Sequence, residues 1–198
     1  MEPLILASGS ATRRTMLENA GLTIIVDRPD VDEGAVKAEG RANELSAGAV
    51  AQRLAAAKAI QVSGRHPGRF VLGADQMLEC EGQWFDKPAN RAAAAGQIRQ
   101  LSGGAHTLFS AVAAVRNGTV IWQCLDSAEL SVRQLSPEFI ESYLDRMGDA
   151  VLSSVGGYQV EGLGIQLFDA IRGEHLTILG MPLIPLLAFL REQGAIAS

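Results

Sequence analysis

The stretch Leu4-Ile-Leu-Ala-Ser-Gly-Ser-Ala-Thr-Arg-Arg-Thr-Met-Leu17 constrains this 198-residue chain more than any other. Its four apolar residues predict a short buried strand. Ser8-Gly9-Ser10 predicts a tight loop, and Ala11 onward a helix with apolar Met16, Leu17 and Ala20 that ends at Gly21. Ser10 is placed to cap that helix, whose first-turn N–H groups carry partial positive charge and favour an anion. Arg13 and Arg14 add full charges beside them. The pattern reads as a phosphate cradle without a Walker motif, because no Gly-x-x-x-x-Gly-Lys occurs in the chain. The same residues also make a capped surface helix with two solvated arginines, and spacing alone does not separate the two readings.

The length allows one large domain or two small lobes, with a proper core in either case. Hydrophobic residues at 47% against 20% charged argue for a folded globule. No apolar run approaches a membrane span, and the N-terminal stretch lacks signal-peptide flanks, so a cytoplasmic protein without membrane attachment is expected. Cys80 and Cys124 have neither metal-ligand spacing nor a disulfide framework and are expected to be reduced thiols. A net charge of −5 argues against stable nucleic-acid binding. A polyanionic ligand would have to meet a local concentration of positive charge, which the lysines Lys58 and Lys87 can supply.

Further along, Thr23 to Val26 predicts a strand running into an acidic loop with Asp27, Asp30, Asp32 and Glu33, able to ligate a divalent cation or simply to be solvated. Ser46 to Val62 predicts a helix with Val50, Leu54 and Ala57 on one stripe, and Lys58 at the edge of its buried face can snorkel outward or point into a cleft. Phe70 to Gln76 predicts an apolar strand that stops at Asp75. Because polar groups at strand ends commonly face a ligand crevice, Asp75 is the strongest single catalytic candidate. Glu81-Gly82 predicts a hairpin turn, and Lys87, fixed before Pro88, can reach the crevice of Asp75.

A helix is predicted for Arg91 to Leu101, a long buried strand for His106 to Val115, and a hairpin at Asn117-Gly118 leading into a strand over Thr119 to Leu125. Ser136-Pro137-Glu138 starts a helix that runs to about Met147. The glycine-rich Gly156 to Gly164 admits close backbone approach by a ligand but has the wrong spacing for a dinucleotide fingerprint. A strand over Ile165 to Ile171, a loop through Gly173 and His175, and a last amphipathic helix from Leu183 to Gln193 complete the chain. The expected architecture is α/β: a twisted mixed β-sheet with flanking helices, forming a single domain over 1–198 with two lobes around a cleft and no clear linker.

Taken together, these pieces resemble the Maf family of nucleoside triphosphate pyrophosphatases, a relative of the inosine triphosphatase fold, from Leu4 nearly to the C-terminus. The resemblance rests on Ala7-Ser-Gly-Ser10 with Arg13-Arg14, Val31-Asp-Glu33, Leu54-Ala with Lys58-Ala, Gly73-Ala-Asp75, Lys87-Pro88, Leu101-Ser-Gly with His106, and Gly180-Met-Pro-Leu183, all in the family's order. It implies cleavage of the α–β phosphoanhydride of a nucleoside triphosphate, giving the monophosphate and pyrophosphate.

The phosphates would be held by Ser8, Ser10 and Arg13, with Lys58 and Lys87 acting beside them. Glu33 and Asp75 would ligate Mg²⁺ or Mn²⁺ or activate the water, and Asp75 is the family's usual proton acceptor. Ala11 stands where a proline is usual. Gln76 and Glu161 resemble the branch that hydrolyses 7-methyl-GTP, whereas Thr12 departs from the aromatic residue often found there. The resemblance further implies a homodimer. Alternatives are a dTTP/UTP-type or inosine-triphosphatase-type enzyme, and a non-catalytic nucleotide-binding regulator of cell division, since the family name is tied to septum formation.

Overall fold

The structure, a computed structural model, describes residues 2–197. The elements are β1 (Leu4–Ala7), α1 (Ala11–Asn19), β2 (Ile24–Val26), α2 (Glu33–Ala42), α3 (Ala47–Ser63), β3 (Val71–Cys80), β4 (Gln83–Phe85), α4 (Arg91–Leu101), β5 (Ala105–Arg116), β6 (Thr119–Val132), α5 (Pro137–Met147), β7 (Phe168–Arg172), α6 (His175–Ile178) and α7 (Leu183–Glu192). The strands form a seven-stranded mixed sheet in the order β2-β1-β3-β5-β6-β7, with β4 paired to β3. This is the α/β class expected from sequence. Among the described residues no helix is long and apolar enough to cross a membrane. The chain divides into two compact units, one comprising residues up to 76, 109–126 and 174 onward, the other 77–108 and 127–173.

The first unit is built around β1, all four of whose residues are buried. It pairs in parallel with β2 on one side and β3 on the other. Alternation along the strands sends Leu4, Leu6, Leu72 and Ala74 to one face, against Met16 and Leu17 of α1 and Leu186, Phe189 and Leu190 of α7. Ile5, Ala7 and Val71 point to the other face, against Ala59 and Val62 of α3. Between β1 and its two neighbours the chain runs once through α1 and once through α2 and α3. The carboxyl end of β1, and the part of β3 just beyond its pairing with β1, therefore flank a topological switch point, where α/β sheets bind ligands.

Gly73 fixes how closely α3 approaches. A Cβ there would lie 2.1 Å from the Ala55 carbonyl oxygen and 2.9 Å from the Ala59 Cβ, so the helix rests directly on the strand. Gly73 and Asp75, two residues apart on β3, share a face, and that face looks onto α3.

In the second unit, α4 buries Ala94, Ala95, Ile98 and Leu101, and α5 buries Ile140, Tyr143 and Leu144. His106 lies buried among Tyr158 and Phe168, with ring centroids 5.6 and 6.1 Å away. Its Nε2 is 2.6 Å from the Tyr158 hydroxyl, and its buried Nδ1 has no partner among the described residues. Burial holds this imidazole neutral, lowering its pKa to about 4.

Five sequence expectations are corrected. β3 does not stop at Asp75 but continues to Cys80, because Met77 and Leu78 extend the buried run. The acidic segment is not a loop throughout: Asp32 caps α2 by accepting from the Ala35 N–H, and Glu33 is that helix's first residue. Residues 163–167 form a 3₁₀ turn, so the late strand starts only at Phe168, and the loop at His175 is the short helix α6. At two of its glycines the glycine-rich stretch packs against its own chain: a Cβ at Gly156 would lie 2.7 Å from the Tyr158 ring, and one at Gly164 would lie 2.5 Å from the Gln159 carbonyl oxygen.

Replacing Gly73 by Ala puts a methyl group into a backbone oxygen, and denaturant unfolding should show a loss of about 3 kcal/mol or failure to fold. His106, with its usual pKa of 6.5 restored on unfolding, binds a proton in the unfolded chain before the native one. Stability should be fully present above about pH 6.5 and fall by about 3 kcal/mol as pH drops to about 4. In thermal melts across that window, His106→Gln should flatten the slope by one proton.

Candidate functional site

Six of the residues singled out from sequence come together at the carboxyl end of β1 and the middle of β3. Ala7 pairs with Gly73, which aligns the Ser8-Gly9-Ser10 loop with Ala74 and Asp75. Ser10 caps α1 as expected, its hydroxyl accepting from the Arg13 N–H at 3.3 Å. Ser8 is buried, and its hydroxyl accepts from the Ser10 N–H at 3.2 Å. α1 has no acidic residue in its first turn, in contrast to α2, which begins with Glu33. The positive end of α1 is thus left without a carboxylate of its own.

Arg13 turns inward. Its Nε donates to the Gly180 carbonyl at 2.9 Å, and its Nη1 donates to the Ala74 carbonyl at 2.9 Å and to the Ser8 hydroxyl at 3.3 Å. One guanidinium therefore fastens α1 to β3 and to the turn before α7. Burial lowers its pKa, while Asp75 and Glu33 pull the other way.

Lys58 does not snorkel outward. Because Gly73 lets α3 touch β3, the Lys58 ammonium reaches Asp75 Oδ1 at 2.6 Å and Glu33 Oε1 at 2.7 Å. The side chains of Lys58 and Asp75 are 9% and 8% exposed, against 48% for Glu33, so the bridge runs from the interior to the surface. Burial pushes the Asp75 carboxyl up, opposed by the charges of Lys58 and Arg13.

Among the described residues, no three His, Cys, Asp or Glu side chains cluster closely enough to form a cation site on their own. Two carboxylate oxygens do converge on one ammonium, however. Two carboxylates completed by substrate phosphates are a common way of holding Mg²⁺, so the residues fit such an ion.

Gln76 is not open to a ligand through its amide nitrogen. That group donates to the Ser110 hydroxyl at 3.0 Å and to the Ile178 and Thr177 carbonyls at 2.9 and 3.3 Å. The Ser110 hydroxyl in turn donates to the Thr177 carbonyl, and the Thr177 hydroxyl to Asp126 at 2.6 Å. Sequence reading missed this network because Ser110, Asp126 and Thr177 stand in three separate segments with no shared spacing. Thr12 is exposed on α1. Lys87 and Glu161 belong to the second unit, where each is exposed.

The family and sequence comparisons agree with one another. The family model described as Maf-like protein matches residues 3–193. A nucleoside triphosphate pyrophosphatase of Paramagnetospirillum magneticum is 50% identical over 190 residues, covering 96% of this chain and 98% of the relative. The protein of that name from Nitrobacter winogradskyi is 52% identical over 193 residues, covering 97% and 94%. Among solved structures, a HAM1 protein from Coxiella burnetii overlaps with a TM-score of 0.44 at 16% identity, covering 67% of this chain and 73% of that one.

Breaking the buried pair from one side strands the other charge. Lys58→Met should cost about 3 kcal/mol in denaturant unfolding, whereas the double variant Lys58→Met with Asp75→Leu should recover most of that loss.

Proposed function

The chain belongs to the Maf-like family, and we propose that it is a nucleoside triphosphate pyrophosphatase that uses the site at the carboxyl end of β1 and the middle of β3. One observation carries this reading: a buried carboxylate, Asp75, held 2.6 Å from a buried lysine beside a serine-lined helix N-terminus that has no acid of its own. In the reaction, water adds across the α–β phosphoanhydride to give nucleoside monophosphate and pyrophosphate.

Ser8, Ser10 and the first-turn N–H groups of α1 bind phosphate oxygens, and Arg13 holds that loop in register with β3. Asp75 accepts the proton of the attacking water, and its burial makes it a stronger base than a surface carboxylate. Lys58 keeps Asp75 oriented and balances its charge until substrate arrives. Lys87 adds charge for the polyphosphate. Glu33 would hold Mg²⁺ or Mn²⁺ together with substrate phosphate oxygens, and the ion when bound supplies charge neutralisation at the phosphates; Asp75 would be its second ligand in the alternative in which it is not the base.

The proposed base preference is for guanine, including its 7-methyl form. Glu161 offers an exposed carboxylate suited to the N1–H and exocyclic amine of that base. Gln76 contributes by holding the backbone at Thr177 and Ile178 in place, and Thr12, exposed on α1, is the third residue proposed to bear on base choice. A homodimer goes with this reading.

Pyrophosphate release should be followed with Mg²⁺ or Mn²⁺ over 7-methyl-GTP, GTP, dTTP, UTP, CTP and ITP. The expected outcome is turnover that favours the guanine nucleotides and requires the metal. Asp75→Asn should lower kcat by at least about 100-fold while leaving nucleotide binding largely intact. A variant that loses binding but keeps its turnover per bound nucleotide would rule out Asp75 as the base. Preference for dTTP or UTP would overturn the part assigned to Glu161.

A further inference from the structure

We propose that Arg28 is a further phosphate-binding residue of this site, a position that no sequence motif pointed to. The proposal rests on the reading of Ser8-Gly9-Ser10 as the phosphate loop.

Its first support is the charge balance. Within this unit the site's cations, Lys58 and Arg13, face two carboxylates, Asp75 and Glu33, so the four groups sum to zero. Arg14 is paired with Glu18 at 2.7 Å. A neutral cluster does not by itself hold a polyanion such as a triphosphate. Arg28 is exposed, and among the described residues its guanidinium has no carboxylate within ion-pair distance. Its charge is uncommitted.

The second support is position. The atoms nearest to where a Cβ would stand on Gly9 are Arg28 Nε at 3.5 Å and its Cδ and Cζ at 3.8 Å. The guanidinium group therefore lies against the middle residue of the phosphate loop, with its remaining N–H groups available to a ligand there.

The third is that the backbone carrying Arg28 is fastened on both sides. The Asp27 N–H donates to the Leu6 carbonyl of β1 at 3.1 Å. The Asp27 carboxylate accepts two bonds from Arg65, at 2.9 and 2.7 Å, and lies 2.8 Å from His66 Nε2. Arg65 also donates to the Arg28 carbonyl at 3.0 Å. Two residues on, the Asp30 N–H and carbonyl are both bonded by the Gln61 side chain of α3. An exposed arginine held this way loses less freedom on binding than one on a free loop. Its planar fork suits phosphate oxygens.

The test uses the full-length protein and inorganic triphosphate as a competitive inhibitor of nucleotide hydrolysis, so that base recognition plays no part. Arg28→Ala should weaken inhibition by about tenfold and raise KM to a similar extent. Its melting temperature should match the parent's, because the side chain has no structural partner to lose. Arg28→Lys should recover part of the affinity, and Arg28→Glu should weaken inhibition further than Ala. An inhibition constant for Arg28→Ala within about twofold of the parent's, in a protein where Asp75→Asn is inactive, would overturn the role of Arg28 alone. Failure of the parent to bind inorganic triphosphate at all would overturn the phosphate-loop reading and the Arg28 proposal with it.

Discussion

The contact on which the rest of the site depends is the Lys58 ammonium between Asp75 and Glu33, at 2.6 and 2.7 Å. Each part of the surrounding structure serves it. Gly73 lets α3 settle onto β3, so that a lysine on the helix can reach a carboxylate on the strand without crossing a gap. The parallel pairing of β1 with β3 then sets the Ser8 loop beside that carboxylate. The Asp32 cap fixes where α2 begins and so presents Glu33 from its first position.

Burying this pair is costly, and the cost has a chemical consequence. A lysine and an aspartate withdrawn from water stabilise the fold less than two apolar side chains of similar size would. What they provide is a carboxylate whose proton affinity is raised by burial and whose position is fixed by a short bond to nitrogen. A surface aspartate would be cheaper to keep and would hold a proton less tightly. Glu33, half-exposed at the outer end of the same bridge, can change partners without disturbing the core.

Much of this was legible in the sequence where periodicity or capping chemistry was strong. The strand, loop and helix start from Leu4 and the Ser10 cap are as read, with α1 ending at Asn19 where Gly21 was expected, and so are α3, α4 and the Ser136-Pro137-Glu138 start of α5. α2 escaped because Gly34 and Gly40 weaken its helical pattern, although Asp32 followed by Glu33 is a start signal. Asp75 was found for a reason only partly right, since it lies within β3 and not at its end. The burial of Lys58 could not be read from the sequence, because it follows from a Gly73 contact between elements that only the fold brings together. The same holds for Gln76, whose partners stand 34 and more than 100 positions away.

The fastening of residues 27–30 is made of side chains largely at the surface: Arg65 and His66 on Asp27, and Gln61 on Asp30. Neither fastener enters the hydrophobic core, and neither uses a residue of the Lys58 bridge. Evolution can therefore loosen or tighten this segment one substitution at a time, without repacking α3 or disturbing Asp75. The loop can change how firmly it holds Arg28 while the Lys58–Asp75 bridge stays fixed.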